Sequence, residues 1–352
     1  MINDKNLKQE GGNESTNLQA QNITINHGIS YKDAKEIAID VYKSNYLQLS
    51  QDAAELAAKR AIKIAENFLD RLKAENEHAL QSMREPSMQM ALYNAQKAYA
   101  TTGDEDLEEV LVNILVERAA QDKRNLKQII LDESLVVAPK LTFEHMDALT
   151  LNFLLSRTCN NQLLNIDSLK HYLQNVIAPF ISTLKMESSA FEHLQYAGCG
   201  SIMETSQIFP IEHIFRMQYK GLFSKGGNED DYRDLLQDSN LSSQLVTRCL
   251  RFTNLIQINA VNDDVVDVIC KNNSFPAEIN SKAKQLLEAH AMSQQEVKEE
   301  ISRLCPEMDM LFIAWEKTSI SKFKLTTVGI AIARANLKRK TGLEIDLGMW
   351  IK

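Results

Sequence analysis

The sequence predicts a mainly α-helical fold: an array of many helices with one long alanine-rich helix, a short N-terminal strand and a small C-terminal α/β cap. The 352 residues include only 12 glycines and 6 prolines, fewer than the many tight turns of an all-β protein need. Apolar residues recur at spacings of three and four along most of the chain. Three capping-box patterns, in which Ser or Thr is followed three residues later by Asp or Glu, indicate helix starts. They begin at Ser30, Thr102 and Ser293.

Composition and charge narrow the class of protein. Lys and Arg total 39 and Asp and Glu total 47, which gives a net charge of −8. An acidic chain is not a general nucleic-acid coat, although a local basic patch stays open. We find no apolar run of about 18 residues, so the sequence predicts no membrane span. Five cysteines without a CxxC motif favour reduced thiols in the cytoplasm.

The length corresponds to about two domains. We predict a polar Asn/Gln-rich tail (1–28), an N-terminal helical domain (29–185), an irregular connecting region (186–240) and a C-terminal helical domain with a small β element (241–352). Ile23 and Ile25 alternate with polar residues in the tail, which is typical of a strand. A single strand needs partners for its backbone, so this tail either stays unstructured or pairs, for example with another copy.

A seam of mostly alanine residues marks the long helix predicted from about 51 to 83. Small seam residues allow a close approach of another helix, either in an intermolecular bundle or in a helix pair within the chain. We predict oligomerisation through the tail and this seam, with the following side chains: Leu18, Ile23, Ile25, Ala54, Ala58, Ala61, Ala65 and Phe68.

Further helices are predicted after Pro86 and beyond the connecting region. Their expected ranges are 87–100, 125–138, 142–157, 166–184, 241–258, 263–271, 277–291, 293–303 and 306–317. The C-terminal cap is expected to contain a strand near 320–325, a helix from Gly329 and a second strand at 343–351. A degenerate winged-helix element is the alternative for this cap.

The segment 317–343 contains several lysine and arginine residues and no acidic residue. Such a patch binds phosphates of nucleic acid in one interpretation. In the other, the cations simply lie at the C-terminal end of a helix, where its dipole favours them. The candidate nucleic-acid-binding residues are Lys322, Lys324, Arg334, Lys338, Arg339 and Lys340.

Catalytic and metal-binding signatures are weak. Cys199 lies between two glycines and becomes a nucleophile only if a base such as His193 is close, so a structural thiol is the simpler interpretation. The tetrapeptides FEHM (143–146), FEHL (191–194) and IEHI (211–214) repeat one pattern, but adjacent Glu and His cannot chelate one ion together. Apart from Cys199 and Asp264 we identify no enzymatic candidate, and we assign no catalytic residue, metal or cofactor.

Three segments resemble an uncharacterised bacterial family: NITINHGISYKDAKEIAIDVYKSNY (22–46), LEEVLVNILVERAAQDKRNLKQIILDESLVVAPKLT (107–142) and LTTVGIAIARANLKRK…DLGMWI (325–351). The resemblance runs from end to end and implies no catalytic residues. It implies similarity to accessory proteins of variable genome regions, where antiphage and mobile-element genes gather.

The function predicted from the sequence is therefore a non-enzymatic, homo-oligomeric interaction protein, a scaffold or sensor, with a defence role implied by the resemblance. The partners expected are further copies of the chain or another protein. The alternative is a nucleic-acid-binding protein that uses the basic segment 317–340.

Overall fold

The prediction of a mainly α-helical fold is confirmed. The computed structural model describes residues 29–44, 51–121, 123–182, 184, 187–203 and 208–351. These residues form sixteen α-helices and two small antiparallel sheets of two strands each. The predicted tail strand, with Leu18, Ile23 and Ile25, lies outside the described residues.

The described residues up to Tyr196 form helices joined by short loops and contain no strand. In chain order these helices are α1 (Tyr31–Ser44), α2 (Gln51–Asn76), α3 (Pro86–Thr102), α4 (Glu105–Ala119), α5 (Leu126–Val137), α6 (Phe143–Arg157), α7 (Ile166–Tyr172) and α8 (Ser188–Tyr196).

The second half mixes helices with short strands. Its elements are β1 (Gly200–Ile202), α9 (Ile211–Gln218), α10 (Arg233–Leu236), α11 (Ser239–Leu245), β2 (Val246–Arg248), β3 (Ile256–Ile258), α12 (Asp263–Asn272), α13 (Ala277–Ala289), α14 (Gln294–Leu304), α15 (Met308–Lys317), β4 (Phe323–Leu325) and α16 (Thr327–Thr341).

Side-chain caps start several helices where the sequence predicts them. Ser30 and Asp33 form reciprocal hydrogen bonds before α1, and Ser293 with Glu296 forms a capping box before α14. The box predicted for Thr102 is wrong. Thr102 ends α3, because Gly103 adopts a left-handed conformation (φ 66°) that terminates the helix. Asp104 caps α4 instead, accepting from two backbone N–H groups.

Two large apolar cores and a small cluster of Tyr42, Ala57, Ala61 and Ala100 organise the described residues. The main core combines residues between Ile29 and Phe223 with residues between Val297 and Leu347. A smaller core lies between Tyr232 and Leu287. Helices α14, α15 and α16 therefore share a core with the first half of the chain, and α16 packs against α4, α5 and α6.

Two predicted elements near the C-terminal half are wrong. The strand predicted near 320–325 is present as β4, and it pairs with β1, with Gly200 opposite Leu325. The predicted strand at 343–351 is instead a turn and a short 3₁₀ helix, Leu347–Met349, capped by Asp346. The predicted helix 241–258 ends at Leu245 and continues as the β2–β3 hairpin, where β-branched Val246 and Thr247 favour extended backbone.

The helix predicted at 166–184 also ends early. Regular α-helix stops at Tyr172, and a π-helical turn and a 3₁₀ turn around Pro179 follow. Proline lacks the N–H that an interior helical residue donates, so the helix cannot continue through it.

The alanine seam of α2 packs within the chain over most of its length. Ala61, Ala65 and Phe68 are fully buried, and α2 contacts α1, α3 and α4. Gln96 of α3 donates to the carbonyl of Ala61, at 3.2 Å. Only Ala54 and Ala58, which are half-buried, stay within reach of a second copy.

Replacing Ala65 by leucine should lower the free energy of unfolding by about 1–3 kcal/mol, since extra methyl groups overpack a tight helix contact. The matched control is Ala74→Leu on the same helix, where the alanine is exposed and a change within about 0.5 kcal/mol is expected. Urea unfolding measures both. Equal stabilities of the two variants would contradict the intramolecular packing of the seam.

Candidate functional site

The basic residues of α16 are paired with acids of other helices. Their side chains are only 7–24% exposed, and their partners lie on α2, α4 and α6. The pairs are Arg334–Glu117 at 3.1 Å, Lys338–Glu75 at 3.2 Å, Arg339–Asp106 at 2.6 Å and Lys340–Asp147 at 2.6 Å.

The deepest of these pairs ties α16 to α6. Asp147 is fully buried and accepts hydrogen bonds from Lys340 Nζ at 2.6 Å and from Asn336 Nδ2 at 2.9 Å. Of the six candidate nucleic-acid-binding residues, Lys322 and Lys324 alone are exposed. The structure thus gives the four helix cations a partner inside the fold and leaves little open cationic surface in this segment.

Cys199 and Asp264 do not lie in a reactive arrangement. The Cys199 side chain is buried, and burial raises the pKa of its thiol to about 12, so it is protonated at neutral pH. His193 points elsewhere, with Nε2 2.8 Å from the Lys140 carbonyl. Asp264 is exposed near the N-terminus of α12. In the described ranges, no three His, Cys, Asp or Glu side chains are placed to hold a metal ion.

Two of the three Glu-His tetrapeptides meet in space. The His145 and His193 rings stack with their centroids 5.1 Å apart, whereas His213 stacks on Phe209 elsewhere. Sequence reasoning noticed the repeated pattern but missed the pairing, because a separation of 48 residues carries no information about contact. The pair borders a cavity of about 390 Å³ lined also by Glu144 and Glu187.

Hydrogen bonds define the protonation of each ring. The Thr142 backbone N–H donates to Nδ1 of His145 at 3.1 Å, which assigns the proton of this neutral ring to Nε2. His193 donates from Nε2 to the Lys140 carbonyl, which leaves its Nδ1 as an acceptor. Burial, followed by the neighbouring His193, lowers the pKa of His145, while Glu144 opposes that shift.

A cavity of about 380 Å³ lies beside α15, with Ile208, Phe312 and Trp315 in its apolar wall. Trp315 Nε1 donates to the carbonyl of Phe209 at 3.0 Å, which fixes the indole in place. Lys298 Nζ lies 5.0 Å from the centre of the Phe312 ring.

Large apolar side chains are exposed at this cavity and elsewhere on helix α15, which supplies part of the cavity wall. Ile208 is 38% and Phe209 43% exposed, and on α15 Met310 and Ile313 are each 54% exposed. We call Ile208, Phe209, Met310 and Ile313, together with the cavity, the α15 surface. Its chemistry suits an apolar side chain of a protein partner, since an aromatic-lined cavity with exposed apolar neighbours gains by excluding water.

A protein-family model matches residues 28–351, nearly the whole chain. The chain belongs to that uncharacterised family. Its description names no activity, substrate or partner. Comparisons with curated proteins and with solved structures gave no significant match. In the described ranges, no helix combines the length and apolar composition needed to cross a bilayer.

Substituting Lys340 by methionine should destabilise the protein by about 3 kcal/mol, because it leaves the buried Asp147 carboxylate without its cation. The control Lys324→Met removes an exposed charge of the same segment and should change stability by less than about 0.5 kcal/mol. Chemical denaturation compares the two. Wild-type stability of the Lys340 variant would show that the pair does not hold α16 to α6.

Proposed function

We propose that the protein is a non-enzymatic interaction protein that self-associates and acts as a scaffold or sensor. The α15 surface is the observation that carries this proposal. Ile208 and Phe209 stay exposed at a cavity whose wall includes Phe312 and Trp315 of α15, and Met310 and Ile313 stay exposed on the same helix. Burying such a side chain in an interface contributes about 1.5–3 kcal/mol, so covering this surface with another protein is favourable.

The charged rim of the cavity supports a protein partner. Glu212, Lys298 and Glu316 line the cavity together with its apolar wall. A partner that places an apolar side chain in the cavity meets charges of both signs at the edge. Apolar centres with polar rims are the usual anatomy of protein interfaces.

The tail supports a second contact between copies. Ile23 and Ile25 alternate with polar residues, as in a strand that needs a partner. Leu18, Ala54 and Ala58 are the further side chains available for this contact in the proposal. The resemblance to accessory proteins of variable genome regions supports a setting in antiphage defence, in the cytoplasm.

The alternative function, nucleic-acid binding through 317–340, has weaker support. Four of its six cations already neutralise carboxylates of the same chain. A phosphate would have to compete with those acids for each cation.

Light scattering of the full chain over a concentration series tests self-association. We expect a mass that rises above the monomer mass of 39.9 kDa. Ile313→Glu should raise the dissociation constant at least about tenfold, because an unpaired carboxylate in the contact costs more than 1.4 kcal/mol. Val268→Glu is the matched control, since Val268 is 55% exposed on α12, and it should behave as wild type.

Two outcomes would contradict the proposal. A wild-type mass of 39.9 kDa at every concentration would exclude self-association. If Ile313→Glu and Val268→Glu change the dissociation constant equally, the α15 surface is not the contact between copies. A chain that starts at Ile29 separates the tail from this surface, because loss of association on truncation alone assigns the contact to residues 1–28.

A further inference from the structure

The helix α8 is held to the start of α6 through the histidine pair. Its apolar face is buried, with Leu194 inaccessible and the Phe191 ring 5.6 Å from the Phe323 ring of β4. On the side that faces α6, His193 bonds the Lys140 carbonyl in the turn before α6 and stacks on His145. These two imidazole contacts join elements that are far apart in the sequence.

His145 performs its structural role only while Nδ1 lacks a proton. It occupies the third position of α6 in a capping box, where the Thr142 backbone N–H donates to Nδ1 and the Thr142 side chain accepts from the His145 N–H. A proton on Nδ1 would point at the Thr142 backbone N–H, and two hydrogen-bond donors repel each other. Protonation of His145 therefore removes the hydrogen bond from the Thr142 backbone N–H, and Thr142 Oγ1, 3.2 Å from Nδ1, is the group left to accept from the new N–H.

His193 keeps its bond to Lys140 in either protonation state, because Nε2 is the donor in both. Its charged form matters through the stacking. Two imidazolium rings with centroids 5.1 Å apart repel each other, and their partial burial strengthens that repulsion relative to water.

The surrounding charges do not cancel this effect. Glu144 on α6 and Glu187 just before α8 line the same cavity, and Glu144 favours the charged form of His145. Lys140 in the turn adds a positive charge, and Tyr196 of α8 lies with its ring 6.5 Å from that of His193. Burial and His193 outweigh Glu144, so the pKa of His145 is lowered from 6.5.

We propose that His145 and His193 form a proton-sensitive latch: the neutral pair holds α8 against α6, and mild acid releases α8. Release uncovers the apolar face that carries Phe191 and Leu194. The latch is independent of the α15 surface and stands whether or not the chain self-associates.

The direction of the pH effect follows from proton linkage. An ordinary histidine has a pKa near 6.5, and burial lowers the pKa of His145 in the closed state below that value. The released state thus binds more protons, and the closed state loses stability as the pH falls from about 6.5 through the folded-state pKa. Above that window the latch is fully closed.

Hydrogen exchange of the full chain, read at the α8 peptide 188–196, tests the latch. After correction for intrinsic rates, we expect protection of α8 to fall by up to about tenfold between pH 7.5 and pH 5.5, because one group whose ordinary pKa is near 6.5 cannot change the equilibrium by more than that over this window. His145→Gln should abolish this pH dependence, because glutamine supplies a capping acceptor that does not titrate. His213→Gln, which changes the histidine of the tetrapeptide that lies outside this pair, should retain it.

Equal α8 protection at both pH values in the wild type, or an undiminished drop in the His145→Gln variant, would overturn the proposal. If that variant does not fold, histidine resonances of the wild type decide instead. A His145 pKa at or above 6.5 would then refute the latch.

Discussion

The burial of helix α16 against α4, α5 and α6 is the constraint on which the rest of the fold depends. Ile332, Ala333 and Leu337 are fully buried, and α16 is the next-to-last regular element of a chain whose other core helices come mostly from its first half. Residues 29–223 cannot complete their core without this helix. The chain therefore closes its main core only when its last sixth is in place, which favours a single cooperative unit over two independent domains.

Polar contacts set the position of α16 inside that core. Asn113 of α4 donates to the Ala335 carbonyl and Thr150 of α6 to the Ala333 carbonyl, each at 3.2 Å. At the first turn, a Cβ on Gly329 would collide with the Cys199 carbonyl, so only glycine allows this approach of α16 to the end of α8. Buried groups of this kind cost free energy when unpaired, and they therefore disfavour other registers of the helix.

Local structure was predictable from the sequence, and long-range partners were not. Ser30, Pro86 and Ser293 mark helix starts through contacts within three residues. The partners of the basic residues of α16 lie between positions 75 and 147, and nothing in a basic segment indicates acids so far away. For the same reason, the pairing of β1 with β4 and the meeting of His145 with His193 became visible only in three dimensions. The α15 surface could not be predicted, because the apolar sequence of this helix does not indicate that Met310 and Ile313 are exposed while Phe312 and Trp315 are buried.

Native-state hydrogen exchange tests whether the main core depends on α16, with α4 as the reference helix. We predict that the slowest amides of both helices open with the same free energy, equal to the free energy of global unfolding measured with denaturant. If α16 opens with a lower free energy than α4, so that α4 stays protected while α16 exchanges, the main core does not depend on α16. That result would mean that the C-terminal helix docks on a core already complete without it.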